Sequence, residues 1–278
     1  RKKKVQVHQK KKKRIITGIK EREKLMKKYS IAATTDIGVS RERQEDYIFF
    51  KELDEKNLFC VIADGTGSRP SIPQPASIIC LEIGNFIQTM WKNKKKDFCS
   101  DPKFYMKLAM LIANKVIGAF KMGNEELYSG FAASVTCCLF TENNQIFIAH
   151  CGNTRVYMLR NGVLTQLTKD YTKANELLNV GKITKEEYYV HADRLLITNG
   201  IGLVTEPEIQ LRAGRIKDDD IILMTTDGVH YAIQPQAMAE IILKSQDCEM
   251  AAYNLVDAAK NIIKYPDNMS AMVLCTNQ

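Results

Sequence analysis

The chain has 278 residues, 45% of them hydrophobic and 26% charged, and a formal net charge of +8. This is the composition of an ordinary globular protein, long enough to bury a substantial core as one large domain or two small ones. No run approaches the ~18 apolar residues that a membrane helix needs, and no apolar signal core follows the basic start.

Division of the charge matters more than its sum. Residues 1–28 carry 14 of the 40 Lys and Arg against only Glu21 and Glu23, so the remainder of the chain is mildly acidic. The stretch RKKKVQVHQKKKKR predicts a basic, flexible arm, either a solvated tail or a contact for nucleic acid, anionic lipid or an acidic protein. A start on Arg1 rather than Met points to a fragment or a processed product. The eight cysteines (Cys60, Cys80, Cys99, Cys137, Cys138, Cys151, Cys248 and Cys275) include no C-x-x-C pair, and most lie in apolar runs. They are expected to be buried free thiols, which places the protein in a reducing, cytoplasmic compartment.

From Tyr29 onward the pattern turns to short β-rich runs. Strands are expected at 31–35, 46–51 and 58–63. A helix follows Pro75, with Ile79, Ile83, Phe86, Ile87 and Met90 on one stripe. A second runs through Leu108, Leu111, Ile112, Val116 and Phe120. Strands then recur at 132–140, 145–150, 155–160 and 163–167, with Asn143-Asn144 and Asn161-Gly162 as hairpin turns. Residues 170–193 are polar and helix-prone and predict a surface flap. Further strands are expected at 194–198, 208–211 and 220–225. Helices at 235–244 and 249–264 follow, the latter with Leu255, Val256, Ala259, Ile262 and Ile263 inward, before a last strand at 269–276. The order predicts an α+β fold over 29–278: two packed antiparallel β-sheets flanked on each side by a pair of α-helices, a four-layer αββα sandwich.

Acidic residues sit at the edges of these apolar runs: Glu45 and Asp46 in RERQEDYIFF, Asp64 in LFCVIADGTG, Asp227 in DIILMTTDGVH and Asp267 in YPDNMSAMVL. Asp-Gly after a hydrophobic run puts the acid where a strand ends and the backbone bends. Two carboxylates ~4 Å apart repel by roughly 4 kcal/mol at an effective dielectric near 20. A fold gathering them would need protons or hard cations such as Mg²⁺ or Mn²⁺.

In this order, TDIGVSRERQED (35–46), VIADGTG (61–67), AHCGNTRVYMLRNGVLTQLTKDYT (149–172), TTDGV (225–229) and DNMS (267–270) resemble the motifs of the metal-dependent type 2C (PPM-type) serine/threonine protein phosphatases, the bacterial branch most closely. The resemblance spans essentially residues 30–278. It implies hydrolysis of phosphoserine and phosphothreonine monoesters by water activated at two Mn²⁺ or Mg²⁺ ions. Asp64 would bridge the two ions, with the Gly65 carbonyl on one. Asp227 and Asp267 would complete the first ion's ligands, and Glu45 and Asp46 would serve the second. Arg41 stands where the family binds phosphate, which a guanidinium fork suits. A phosphorylated protein would be the substrate, a partner Ser/Thr kinase is implied, and a monomer is expected.

The chain also departs from the family pattern. Asn153 stands at the aspartate linked to a third metal, so a third ion should bind poorly. Thr66 follows the first Asp-Gly in place of Met or His. Tyr231 falls where an acid commonly follows the second Asp-Gly, Asn199 where an arginine is usual, and FAAS (131–134) lacks the family's Gly-Thr-Thr type signature. His230, close in sequence to Asp227, is read either as reaching the site or as an exposed loop residue. These departures keep open a pseudophosphatase, a binding module with weak or no turnover.

Overall fold

The computed structural model describes residues 28–262 and 267–276. Apart from Lys28, the basic arm lies outside the described residues. Its first strands are β1 (Tyr29–Asp36), β2 (Asp46–Asp54) and β3 (Asn57–Thr66). The helices α1 (Pro75–Ser100) and α2 (Pro102–Lys121) follow, then β4 (Ala132–Phe140), β5 (Gln145–Cys151), β6 (Arg155–Arg160) and β7 (Val163–Gln166). The flap holds α3 (Lys173–Asn179), α4 (Lys185–Val190) and a 3₁₀ turn (Ala192–Leu195). The rest is β8 (Gln210–Arg215), β9 (Ile221–Thr225), α5 (Asp227–His230), α6 (Pro235–Lys244), α7 (Cys248–Lys260) and β10 (Met269–Thr276).

Two five-stranded antiparallel sheets result, in the orders β1-β10-β9-β6-β7 and β2-β3-β4-β5-β8. The two-residue period of β3 explains the layering. Phe59, Val61 and Ala63 face outward onto Ile79, Ile83, Met106 and Met110 of α1 and α2. Leu58, Cys60 and Ile62 face inward and meet Val156, Ile222, Met272 and Leu274 of the other sheet. That second sheet turns Leu223, Ala271 and Val273 outward onto Met238, Leu255 and Val256 of α6 and α7. Strands buried on both faces read as unbroken apolar runs for this reason. The αββα sandwich expected from the sequence is the observed fold.

Both hairpin turns form, with positive φ at Asn144, Asn161 and Gly162. The strand expected at 194–198 does not: Ala192–Leu195 is a 3₁₀ turn, and only Ile197 makes a single bridge, to Thr172. Its apolar Leu-Leu-Ile run imitates a strand, yet Leu195 and Leu196 are exposed. The strand expected at 208–211 is Gln210–Arg215, an edge strand exposed over its last four residues. The last helix ends at Lys260, so Ile262 is exposed rather than inward, and Ile263 lies outside the described residues. Two cysteines depart from the free-thiol reading: Cys248, opening α7, is disulfide-bonded to Cys275 of β10. Cys60, Cys80, Cys137, Cys138 and Cys151 are free and buried, and Cys99 is free and exposed.

Candidate metal centre

The acids collect at one end of the sandwich. Asp46 opens β2 and lies directly opposite Asp64 near the end of β3. Asp227 follows β9 by two residues, and Asp267 precedes β10 by two. Since β9 and β10 are paired neighbours, one sheet supplies Asp227 and Asp267 while the other supplies Asp46 and Asp64.

Asp46 fastens the two sheets together. Its Oδ2 accepts hydrogen bonds from Thr226 Oγ1 (2.8 Å) and Ser270 Oγ (2.7 Å), both on the opposite sheet's motifs. Its Oδ1 is buried with no partner. Burial, and behind it the charges of Asp227 and Asp267, push the Asp46 carboxyl up to about 7. Asp64 is raised well above the usual carboxylate range, by burial and then by Asp227, and it shares a hydrogen bond with Asp227. Burial and the Asp267 charge raise Asp227 to about 6. Like charges in one low-dielectric site cannot all ionise, so the cup holds protons unless a cation replaces them.

Two cationic or neutral donors already touch the cup. Arg41 Nη2 lies 2.7 Å from Asp267 Oδ2 in a partly exposed ion pair. Asn153 Nδ2 donates to Asp227 Oδ2 at 3.2 Å, while its Oδ1 accepts from Ser134 Oγ at 2.7 Å. Asn153 is thus more than a turn residue, being 98% buried against the cup. Glu45 stands apart from the carboxylate pairs: its Oε1 accepts from Ser68 N at 3.2 Å. The Gly65 N–H donates to the Glu45 carbonyl at 3.1 Å. Among the described residues no three His, Cys, Asp or Glu side chains are already closed around one point as a metal-binding group. Asp267 is in contact with Arg41 and Asp227 with Asn153. The donor set is nevertheless hard oxygen throughout, and the orphaned Asp46 Oδ1 is an acceptor that lacks a positive partner. Those features fit Mg²⁺ or Mn²⁺.

Asn268, Thr226, Ser270 and Ser134 are the supporting residues that motif reading passed over. Asn268 Oδ1 accepts from Glu45 N (2.7 Å), and its Nδ2 donates to the Ile37 and Arg43 carbonyls (2.8 and 2.9 Å). One amide therefore pins the whole β1–β2 loop that carries Arg41 and Glu45. Close backbone approach makes the pinning feasible: a Cβ on Gly38 (φ +80°) would lie 2.1 Å from the Asp267 carbonyl oxygen. Thr226 and Asn268 had one sequence signal, a hydroxyl or amide beside an acid, and Ser270 and Ser134 had none. His230 neither lies exposed nor points its bonded nitrogen at the acids. It is buried, with Nδ1 2.9 Å from Thr225 Oγ1 and its ring 4.8 Å from that of Tyr231. Tyr231 ties flap to core: its hydroxyl donates to the Arg194 carbonyl (2.8 Å), and its ring centre is 5.2 and 5.0 Å from the Arg155 and Arg194 guanidiniums. Asn199 braces a loop through Glu208, donating to its carbonyl at 2.8 Å.

Fold and acid cup together define the class of metal-dependent protein phosphatases. The chain belongs to the protein phosphatase 2C family, whose profile matches residues 39–258. It is 23% identical over 242 residues to the protein phosphatase PhpP of Streptococcus pneumoniae, covering 87% of this chain and 93% of that protein. It is 26% identical over 243 residues to the serine/threonine protein phosphatase PstP of Mycobacterium tuberculosis, covering 87% of this chain and 44% of PstP. The crystal structure of the M. tuberculosis phosphatase superposes with a TM-score of 0.77 at 25% identity, covering 90% of this chain and all of that one. A PstP catalytic-domain structure in complex with two manganese ions matches with a TM-score of 0.74 at 24% identity, covering 90% and 99% of the two chains.

Proposed function

We propose that the chain hydrolyses phosphoserine and phosphothreonine monoesters on proteins at a binuclear Mg²⁺ or Mn²⁺ centre. The observation that carries this reading is the buried, unpartnered Oδ1 of Asp46 amid carboxyls raised by burial and then by one another's charge. Asp64, Asp227 and Asp267, with the Gly65 carbonyl, would hold one ion or bridge both. Glu45 and Asp46 would serve the other. When bound, the ions supply Lewis-acid activation of water and neutralise charge on the phosphate. The chain's own part is arrangement. Thr226 and Ser270 fix the orientation of Asp46. Asn268 holds the loop bearing Arg41 at the rim. Arg41, now on Asp267, is placed to exchange that carboxylate for a phosphate dianion, which a guanidinium grips with two parallel donors. Asn153 presents an amide where the family has the aspartate linked to a third metal, so a third ion should bind poorly. The manganese-bound relative supports the choice of metal.

The specific observation favouring a pseudophosphatase is the pair of neutralising contacts, Arg41–Asp267 and Asn153–Asp227, which occupy two of the acids. One experiment separates the readings. Hydrolysis of an aryl phosphate with Mn²⁺, lost with EDTA and in Asp64→Ala, is expected of the enzyme. Calorimetric Mn²⁺ binding without hydrolysis would establish the binding module instead. We assign a cytoplasmic setting on the six free thiols, a monomeric state, and a partner Ser/Thr kinase as the source of the substrate's phosphate. Among the described residues no helix is long and apolar enough to cross a membrane. The basic arm is assigned to anionic partners, nucleic acid, lipid or acidic protein. Deleting residues 1–28 should then weaken a strongly salt-dependent binding.

A further inference from the structure

The Cys248–Cys275 bond stands apart from the chain's other six cysteines, which are free thiols. Proximity alone does not account for the difference. Cys60 and Cys138 lie directly opposite one another on β3 and β4, yet both are unbonded. Those two are completely buried, and burial pushes their thiols up, which suppresses the thiolate that exchange requires. Cys275 is only half-buried, near the end of β10, with its Cα 6.7 Å from that of Cys248.

The surroundings of Cys248 suit both states of the pair. Its Sγ lies 3.7 Å from the Ser30 carbonyl oxygen on β1. In the disulfide that sulfur has no hydrogen to donate; once reduced, its S–H has an acceptor within reach. Ser30 and Cys275 are register partners across β1 and β10, so the sulfurs sit on the seam where both strands meet α7. Cys248 is the first residue of α7, where a helix N-terminus favours a departing thiolate, partly opposed by the exposed Asp247 and Glu249.

Helix α7 links this seam to the metal end. Its Leu255, Val256 and Ala259 pack in one cluster with Ala271 and Val273 of β10. Beyond them, Lys260 Nζ lies 2.7 Å from Asp36 Oδ2, while Asp36 Oδ1 accepts from the Gly38 N–H at 2.8 Å. Gly38 is the residue pressed against the Asp267 carbonyl. The helix is thus fastened covalently at its first residue and by an ion pair at its last.

We propose that Cys248 and Cys275 are a reversible dithiol–disulfide pair, a redox modification site that takes a dithiol reductant and releases the first turn of α7 when it opens. A reductant thiolate attacks the more accessible Cys275 Sγ, and Cys248 leaves as the thiolate and takes a proton. The reductant's second thiol then displaces Cys275 from the mixed disulfide. Two electrons and two protons pass to the pair, and the reductant departs as its own disulfide. Oxidised glutathione reverses the step, closing the bond as two molecules of reduced glutathione leave.

The test treats the folded full chain with oxidised glutathione or with millimolar dithiothreitol near neutral pH, blocks the free thiols and maps the peptides by mass. The expected result is a linked Cys248–Cys275 peptide that disappears with dithiothreitol and returns with oxidised glutathione. The bond spans 27 residues of sequence and so constrains the unfolded chain. The oxidised form should therefore melt about 5–10 °C above the reduced one. That difference should persist in Cys99→Ser and vanish in Cys275→Ser, and the α7 amides should exchange hydrogen faster after reduction. Absence of the linked peptide overturns the proposal, as do equal melting temperatures or a redox-dependent melt that survives Cys275→Ser. A bond that dithiothreitol opens only after the chain unfolds would be a fixed staple and equally overturn it. The mass map and the parent's own melts decide the matter even if the serine variant fails to fold. Melting rather than hydrolysis is read, so the outcome is independent of the phosphatase reading.

Discussion

Asn153 holds the Asp227 carboxylate with a neutral amide, and Ser134 in turn holds the amide oxygen, so the orientation of this donor is fixed by a buried chain of contacts. Asn153→Asp would replace the donor at 3.2 Å with a second carboxylate. Two ionised acids at such separation repel by roughly 4 kcal/mol or more at an effective dielectric near 20, relieved in part by protonation. The expected outcome has two parts. Without metal, the variant melts several degrees below the parent. With saturating Mn²⁺, most of that loss returns and turnover rises, because the added charge favours a further cation. Thermal melts with and without Mn²⁺, read beside aryl phosphate hydrolysis, check both. Identical melting of the two metal-free proteins would show that the amide's role is not electrostatic. The acids themselves were legible in the sequence because Asp-Gly after an apolar run has a local signature. The donors that orient them were not. Thr226 and Ser270 are separated from Asp46 by 180 and 224 residues, and only the folded sheets bring them to its Oδ2.

Backbone segments at the cup approach most closely where a side chain is missing. A Cβ on Gly228, the second residue of α5, would sit 2.1 Å from the Asn268 carbonyl oxygen, a backbone atom that cannot step aside. Gly228→Ala should therefore push α5 away from the loop before β10 and destabilise the chain by about 1–3 kcal/mol. Gly118 in α2 is the matched control, since a Cβ there meets nothing within 4 Å. Gly118→Ala should stabilise by about 0.5–1 kcal/mol through helix propensity and a less disordered unfolded chain. Urea titration of both variants checks the contrast, and equal effects would refute the crowding argument. The same elements show what a sequence conveys. The buried strands β3, β4 and β9 were readable as apolar runs, and α1 and α2 as stripes after Pro75 and near Leu108. The Leu195–Leu196 segment misled because local hydrophobicity cannot distinguish an exposed flap turn from a strand. The flap itself was expected on the surface, yet its base is buried: Asp170, Thr172 and Ala174 are nearly inaccessible, held by Arg155 and by the Tyr171 N–H on the Gly152 carbonyl at 2.8 Å.

Across the whole molecule, stability should depend on pH through two sets of groups with opposite sign. Asp46 and Asp227, raised to about 7 and about 6, bind protons in the folded state that the unfolded chain releases near pH 4. The metal-free protein thus loses the stability they supply as pH rises through that interval. His150 works the other way. Burial lowers it to about 4, with Thr136 Oγ1 2.8 Å from Nδ1 and the Lys169 carbonyl 3.1 Å from Nε2. The unfolded chain protonates this residue near pH 6.5, so stability falls as pH drops from about 6.5 towards 4. Only the first set competes with cations, so comparing melts with and without Mg²⁺ isolates it. The increase in melting temperature on adding Mg²⁺ should be small at pH 5, where protons already neutralise the cup, and should grow through pH 6 to 7.5. Asp46→Asn should flatten that growth while leaving the acid-side fall from His150 in place. A Mg²⁺ increment independent of pH would mean that the ions bind elsewhere than at these carboxylates, and would remove the support the cup gives to the phosphatase mechanism.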